Sequence, residues 1–144
     1  MLNLTDLYQE IILDHGKAPR NKRTMETATH WAEGYNPLCG DQIKVYLQVE
    51  GETVKDVSFS GNGCAISQAS ASMMTEALVG KTIDEANSTF QSFHAMLVPS
   101  DKPDQAKLQG YDELQALEGV KNYPNRIKCA TLAWHAFKSA LEGK

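Results

Sequence analysis

Long hydrophobic runs and an excess of basic residues are both absent from this 144-residue sequence. No stretch approaches the roughly 18 consecutive apolar residues that a membrane-spanning helix requires. The formal net charge of −4 provides no basic face for a nucleic acid. Residues 1–6 lack the basic and apolar segments of a signal peptide. We therefore expect a cytoplasmic protein that neither enters a membrane nor binds nucleic acid.

Cysteine is also scarce, with only Cys39, Cys64 and Cys129. An odd number of cysteines without an export signal is a poor framework for disulfides. Metal binding, nucleophilic chemistry and plain core packing remain as explanations for the three thiols.

A half-buried strand is predicted where Ile43, Val45 and Leu47 alternate with polar residues. A turn at residues 50–52 precedes a second strand over 54–60, in which Val54 falls out of register and predicts a bulge or a late strand start. Residues 28–35 can add an edge strand. The 42% apolar content is enough for one packed core, so residues 1–144 are predicted to form a single domain.

Helical periodicity marks most of the remaining chain. A first helix is predicted to stop near Gly16, a second to run from Cys64 to Gly80, and a third to follow a cap at Thr82 as far as about residue 96. Residues 99–109 are predicted to be a surface loop, 111–117 a short helical piece and 124–141 the last helix. The predicted fold class is α+β, a small antiparallel sheet of about three strands packed with helices.

Each cysteine lies at a junction between predicted elements. Cys39 is in a tight proline- and glycine-containing loop, with Asp41 two residues further on. Cys64 follows the Gly-Asn-Gly turn at 61–63 and opens a helix, whose N-terminus favours a thiolate. Cys129 lies in the first turns of the last helix. Junctions of this kind are where functional sites are commonly built.

Three thiolates and one carboxylate would supply the four ligands of a tetrahedral zinc ion or of a cluster iron. Sulfur ligands favour such metals over calcium or magnesium. The single oxygen ligand, Asp41, suggests a site whose contents can change. Spacing alone leaves two interpretations open, namely a shared metal site or three unrelated thiols with Asp41 as a surface or capping residue.

Three segments of the chain resemble the three motifs of the NifU/IscU family, in the family's order. They are Cys39-Gly40-Asp41, Gly61-Asn62-Gly63-Cys64-Ala65-Ile66-Ser67 and Arg126-Ile127-Lys128-Cys129. The resemblance implies an IscU/SufE-like fold, a role in iron–sulfur cluster assembly and a metal site. It implies that the ligands are Cys39, Asp41, Cys64 and Cys129.

Two departures resemble the SufU branch of this family. Lys128 stands where the scaffold branch has a histidine, and 64 residues separate Cys64 from Cys129. The resemblance implies bound Zn²⁺, a SufS-type cysteine desulfurase as partner and downstream Suf assembly proteins. Our hypothesis is that docking releases Cys39 from the metal in exchange for a partner side chain such as an imidazole, and that Cys39 then takes persulfide sulfur.

Cys39 is the expected catalytic residue because its loop can move, whereas Cys64 and Cys129 are anchored on helices. One alternative is a scaffold that binds iron and assembles a [2Fe–2S] cluster on the same four residues. Another is a structural zinc module that mediates an interaction. Arg126, one turn before Cys129, could pair with Asp41 or a thiolate, or be a surface residue.

Overall fold

The computed structural model of the chain describes residues 4–37, 40–98 and 112–143. Helix α1 (Leu4–Lys17) precedes three strands and two further helices. In chain order these are β1 (His30–Asn36), β2 (Asp41–Glu50), β3 (Thr53–Asn62), α2 (Ala65–Leu78) and α3 (Ile83–Leu97). A 3₁₀ segment (Asp112–Asn122) leads into α4 (Pro124–Leu141). The loop predicted for residues 99–109 lies outside the described residues.

The three strands form one antiparallel sheet in the order β1-β2-β3. The register shifts between Gln48 and Val49, where Val49 pairs with Val54 and Gln48 with Asp56. This irregularity confirms the bulge that the sequence predicts at Val54. The α+β prediction is confirmed as well.

One face of the sheet is covered by helices. The side chains of Ile43, Val45 and Leu47 point into the core, as their alternation predicts. Helix α4 packs across β1 and β2, and a Cβ atom on Gly34 of β1 would lie 2.8 Å from Leu132 Cδ1. Glycine at position 34 therefore lets α4 approach the strand closely.

Buried hydroxyl groups join α2 to α4. Trp134 Nε1 donates a hydrogen bond of 3.0 Å to Ser70 Oγ, and Ser70 donates in turn to the carbonyl of Ala130. A buried polar group is expensive unless it is hydrogen-bonded, so these contacts restrict how the two helices can slide past each other. Cys64 and Cys129 lie near the N-terminal ends of α2 and α4, whose relative position is thereby restrained.

Helix α1 is attached to α2 in a similar way. His15 is only 1% exposed, and its Nδ1 lies 2.7 Å from Ser72 Oγ, which also accepts the backbone N–H of Arg20 at 2.8 Å. Helix α1 continues to Lys17, past the stop predicted near Gly16. Gly16 faces the first residue of α2, since a Cβ atom there would lie 3.5 Å from the Ala65 carbonyl oxygen. Gly16 lacks the positive φ of a left-handed helix cap, and a Cβ atom there would make only ordinary van der Waals contact.

The capping predicted for α3 is present in full. Thr82 Oγ1 accepts from the backbone N–H of Glu85, and the Glu85 carboxylate accepts from the N–H of Thr82. Helix α4 has the predicted bounds, 124–141, with a proline in its first turn. None of the helices among the described residues is both long and apolar enough to cross a membrane.

Candidate metal centre

Asp41 begins β2 and is completely buried. Its Oδ1 accepts a 2.8 Å hydrogen bond from the backbone N–H of Cys64. This contact connects the start of β2 to the turn before α2. The second carboxylate oxygen, Oδ2, lies 3.9 Å from Cys64 Sγ and is turned toward the two thiols.

Cys64 is the N-cap residue of α2. Its extended backbone (φ −67°, ψ 170°) lets the side chain fold back, so that Sγ accepts from the backbone N–H of Ser67 at 3.4 Å. The sulfur of this N-cap residue therefore faces the positive end of the helix dipole. The thiol is partly exposed, and a reagent or partner can reach it.

Cys129 lies one turn into α4 and is completely buried. Its Sγ lies 3.6 Å from the Asn125 carbonyl oxygen and 3.8 Å from the side-chain Nδ2 of Asn36. The first contact is the ordinary one of a helical residue with the preceding turn. The second crosses from α4 to the end of β1 and belongs to this site.

The donor atoms of Asp41, Cys64 and Cys129 all lie within 4.8 Å of one another. In a tetrahedral zinc site with Zn–S bonds near 2.3 Å, the sulfur atoms are about 3.8 Å apart. The three donors are therefore already close to the separation that one metal ion requires. They come from the start of a strand and from two helices, so a bound ion would tie three parts of the fold together.

Cys39, the fourth predicted ligand, lies outside the described residues. Gly40, which follows Cys39 in the chain, is described, and its backbone N–H donates a 2.8 Å hydrogen bond to the Asn36 carbonyl. Gly40 has a φ of +72°, although a Cβ atom there would meet nothing within 4 Å. Glycine is needed here for the backbone conformation rather than for space.

The charge of Asp41 indicates that this donor set fits a cation. A buried carboxylate needs a positive partner, because removing it from water is very costly. Among the described residues, no lysine, arginine or histidine pairs with Asp41. The suggested pairing with Arg126 is wrong, because Arg126 is exposed and makes no such contact. A metal ion held with thiolates would supply the missing positive charge.

Gly63 and Ser67 pack closely beside the Asp41 carboxylate. A Cβ atom on Gly63 would lie 2.9 Å from Asp41 Oδ1 and 3.0 Å from Ser67 Oγ. The Ser67 hydroxyl is buried and has no hydrogen-bond partner among the described residues. A buried hydroxyl without a partner next to three converging donors is a further sign that the site accepts a ligand.

Sequence reasoning did not identify Asn36, Gly63 or Ser67 as individual parts of the site. A signal for Asn36 was available, because it shares the inward face of β1 with Ala32 and Gly34. A polar residue on a buried face calls for a partner. No local pattern distinguishes the steric role of Gly63 from that of an ordinary turn glycine.

A second group of titratable side chains lies on α3 and α4. The rings of His94 and His135 are 5.6 Å apart, and Phe90 lies 5.8 Å from His135. Burial lowers the pKa of His135 because it disfavours the charged imidazolium, and the charge of His94 lowers it further. Neither histidine belongs to the cluster of Asp41, Cys64 and Cys129.

The chain belongs to the NifU-like N terminal domain family, which it matches over residues 7–140. The fold and the positions of the cysteines agree with this membership, and the predicted family is confirmed.

Several relatives cover nearly the whole chain. It is 42% identical over 139 residues to the zinc-dependent sulfurtransferase SufU of Bacillus subtilis. The matched region covers 96% of this chain and 92% of that protein. It is 40% identical to the iron–sulfur cluster assembly scaffold protein IscU of Thermotoga maritima, covering 94% and 93% of the two chains. The crystal structure of FiSufU, assigned to the SUF system of Fervidobacterium islandicum, superposes with a TM-score of 0.83 at 35% identity, covering 96% and 99%.

Proposed function

We propose that this protein acts in iron–sulfur cluster assembly in the cytoplasm, as a zinc-dependent sulfur acceptor built on a single domain. It takes persulfide sulfur from a SufS-type cysteine desulfurase onto Cys39 and passes it to downstream Suf assembly proteins. The observation that carries the proposal is the convergence of two thiols on a buried carboxylate that has no cationic side chain beside it among the described residues. The similarity to the B. subtilis sulfurtransferase supports zinc and sulfur transfer over other uses of such a site.

The proposed ligands are Cys39, Asp41, Cys64 and Cys129. A bound zinc ion keeps cysteine sulfur deprotonated at neutral pH and balances the carboxylate charge. Cys64 and Cys129 are suited to be permanent ligands, because one caps α2 and the other is buried in α4. Asp41 is held in place by the backbone N–H of Cys64.

Cys39 is the proposed acceptor because its segment joins two strands instead of lying within a helix. Its thiolate attacks the terminal sulfur of the partner's cysteine persulfide. A new S–S bond forms at Cys39 while the S–S bond of the partner breaks, and the partner's cysteine leaves as a thiolate that takes up a proton. The exchange conserves electrons, so no external oxidant or reductant is needed.

The test is incubation of the zinc-loaded protein with a SufS-type desulfurase and free cysteine, followed by mass spectrometry of its peptides. We expect one added sulfur on Cys39 and none in Cys39→Ser, whose circular dichroism should match that of the unmodified protein. Sulfur found mainly on Cys64 or Cys129 would contradict the assignment. Full activation of the desulfurase by Cys39→Ser would instead favour a structural zinc module.

A second candidate is a scaffold on which iron and sulfide are assembled into a [2Fe–2S] cluster as cargo. Asp41 favours it, because one oxygen donor among thiolates suits a cluster that must be released. The similarity to the T. maritima scaffold protein points the same way. The two candidates differ in the metal of the freshly purified protein and in whether a reconstituted cluster passes to an apo acceptor.

A further inference from the structure

Asn36 is a polar residue with partners on three sides of this site: Cys129, Gly40 and Asp41. It ends β1 and is 5% exposed, and its Nδ2 lies 3.8 Å from Cys129 Sγ. Its backbone carbonyl accepts the N–H of Gly40, and in the β1–β2 register it is paired with Asp41. One residue therefore connects the Cys129 sulfur on α4, the backbone of Gly40 and its strand partner Asp41.

Strand formation does not require asparagine at this position. Asparagine is disfavoured in strands, and its amide must be removed from water to reach this buried position. A leucine would have nearly the same shape and would add to the adjacent apolar face, where Ala32 and Leu132 lie. The contact with the Cys129 sulfur gives the polar amide a physical reason to lie at this buried position.

From this geometry we infer that Asn36 is a positioning residue that orients the Cys129 sulfur as a permanent metal ligand and lowers its reactivity. The inference rests on the proposed function. The amide N–H draws electron density from the Cys129 sulfur, which makes that sulfur less nucleophilic and fixes its direction. The backbone carbonyl of Asn36 also accepts the N–H of Gly40, so the residue is fixed at its own main chain as well.

The test compares Asn36→Leu, which keeps the shape and loses the donor, with Asn36→Gln, which keeps an amide. Thr131→Val is the matched control, because Thr131 is buried on the same helix and bonds only to the Ile127 carbonyl of its own helix. Zinc affinity is measured by chelator competition. The cobalt(II)-substituted proteins are compared by the thiolate-to-cobalt absorption band, and alkylation by iodoacetamide is mapped onto each cysteine.

For Asn36→Leu we expect zinc affinity to fall about tenfold, the lower end of the loss typical for outer-shell partners of metal ligands. The cobalt band should move to longer wavelength, since a sulfur without its hydrogen bond gives up electron density more readily. Alkylation of Cys129, whose side chain is buried in the unmodified protein, should become detectable as the weakened site loses zinc. Asn36→Gln should recover part of each change, and Thr131→Val should show none of them.

A folded Asn36→Leu with unchanged zinc affinity, band position and alkylation pattern would overturn the inference. If that variant does not fold, the inference is tested by NMR on the unmodified protein loaded with cadmium-113. A coupling between the metal and the Asn36 amide proton, transmitted through the sulfur, supports the inference, and its absence overturns it. These readouts need no desulfurase, so a failure of sulfur transfer onto Cys39 would count against the proposed function alone.

Discussion

Replacing Gly63 by alanine should weaken metal binding while leaving the fold intact. The new Cβ atom would lie 2.9 Å from Asp41 Oδ1 and 3.0 Å from Ser67 Oγ, about 0.5 and 0.4 Å inside ordinary van der Waals contact. The carboxylate cannot retreat freely, because the same oxygen accepts the N–H of Cys64 at 2.8 Å. The φ of Gly63 is not positive, so alanine introduces no backbone strain there.

Overpacking of a tight contact costs about 1–3 kcal/mol. If the Asp41 side chain turns to relieve the clash, this cost falls mainly on the metal-bound state, which needs the carboxylate in place. Since 1.4 kcal/mol corresponds to a factor of ten, zinc affinity should fall about 10- to 100-fold. The melting temperature of the chelator-treated protein should change by only a few degrees.

The assay is zinc competition against a chromophoric chelator, together with thermal denaturation with and without zinc. Gly119→Ala is the matched control, because that glycine also lacks a positive φ and a Cβ atom there would meet nothing within 4 Å. It should bind zinc like the unmodified protein. A folded Gly63→Ala that binds zinc with full affinity would refute the reasoning that Asp41 takes part in the site.

Four other perturbations test the site and the fold. Asp41→Ala should lower zinc affinity and desulfurase activation together, and a brown protein carrying equal amounts of iron and sulfide would favour the scaffold instead. A strong chelator should lower the melting temperature of the zinc-loaded protein by about 10 °C if zinc is present at about a thousand times its dissociation constant, and an unchanged melting temperature would contradict a resident metal. His94→Gln should raise the pKa of His135, measured by NMR titration, because a charged neighbour is removed. The unfolded chain binds a proton at His135 more readily than the folded chain does. The stability that neutral His135 contributes is therefore present above its ordinary pKa of 6.5 and is lost as the pH falls below that value. His135→Gln should reduce the loss of melting temperature between pH 7 and pH 5.

The amino-acid sequence by itself determined the secondary structure, because the relevant interactions are local. Because Ile43, Val45 and Leu47 alternate with polar residues, one face of their strand must be buried, whichever element packs on it. Thr82 and Glu85 cap α3 within a single turn. The end of the first helix was predicted to within one residue, since α1 ends at Lys17, but Gly16 is not a left-handed cap.

The candidate site was predictable in part. The resemblance of three motifs named Asp41, Cys64 and Cys129 together, whereas their spacing alone favoured three unrelated thiols. Cys39 remains a prediction from the motif.

Only the tertiary structure decided which side chains surround these donors. Asn36 and Cys129 are 93 positions apart and meet because α4 crosses the end of β1. Arg126 is close to Cys129 along the chain but points to solvent and does not reach Asp41. Local sequence patterns specify the direction of a side chain relative to its own helix or strand. The packing of one element on another determines what that side chain meets, and it depends on distant residues such as Gly34, Ser70 and Trp134.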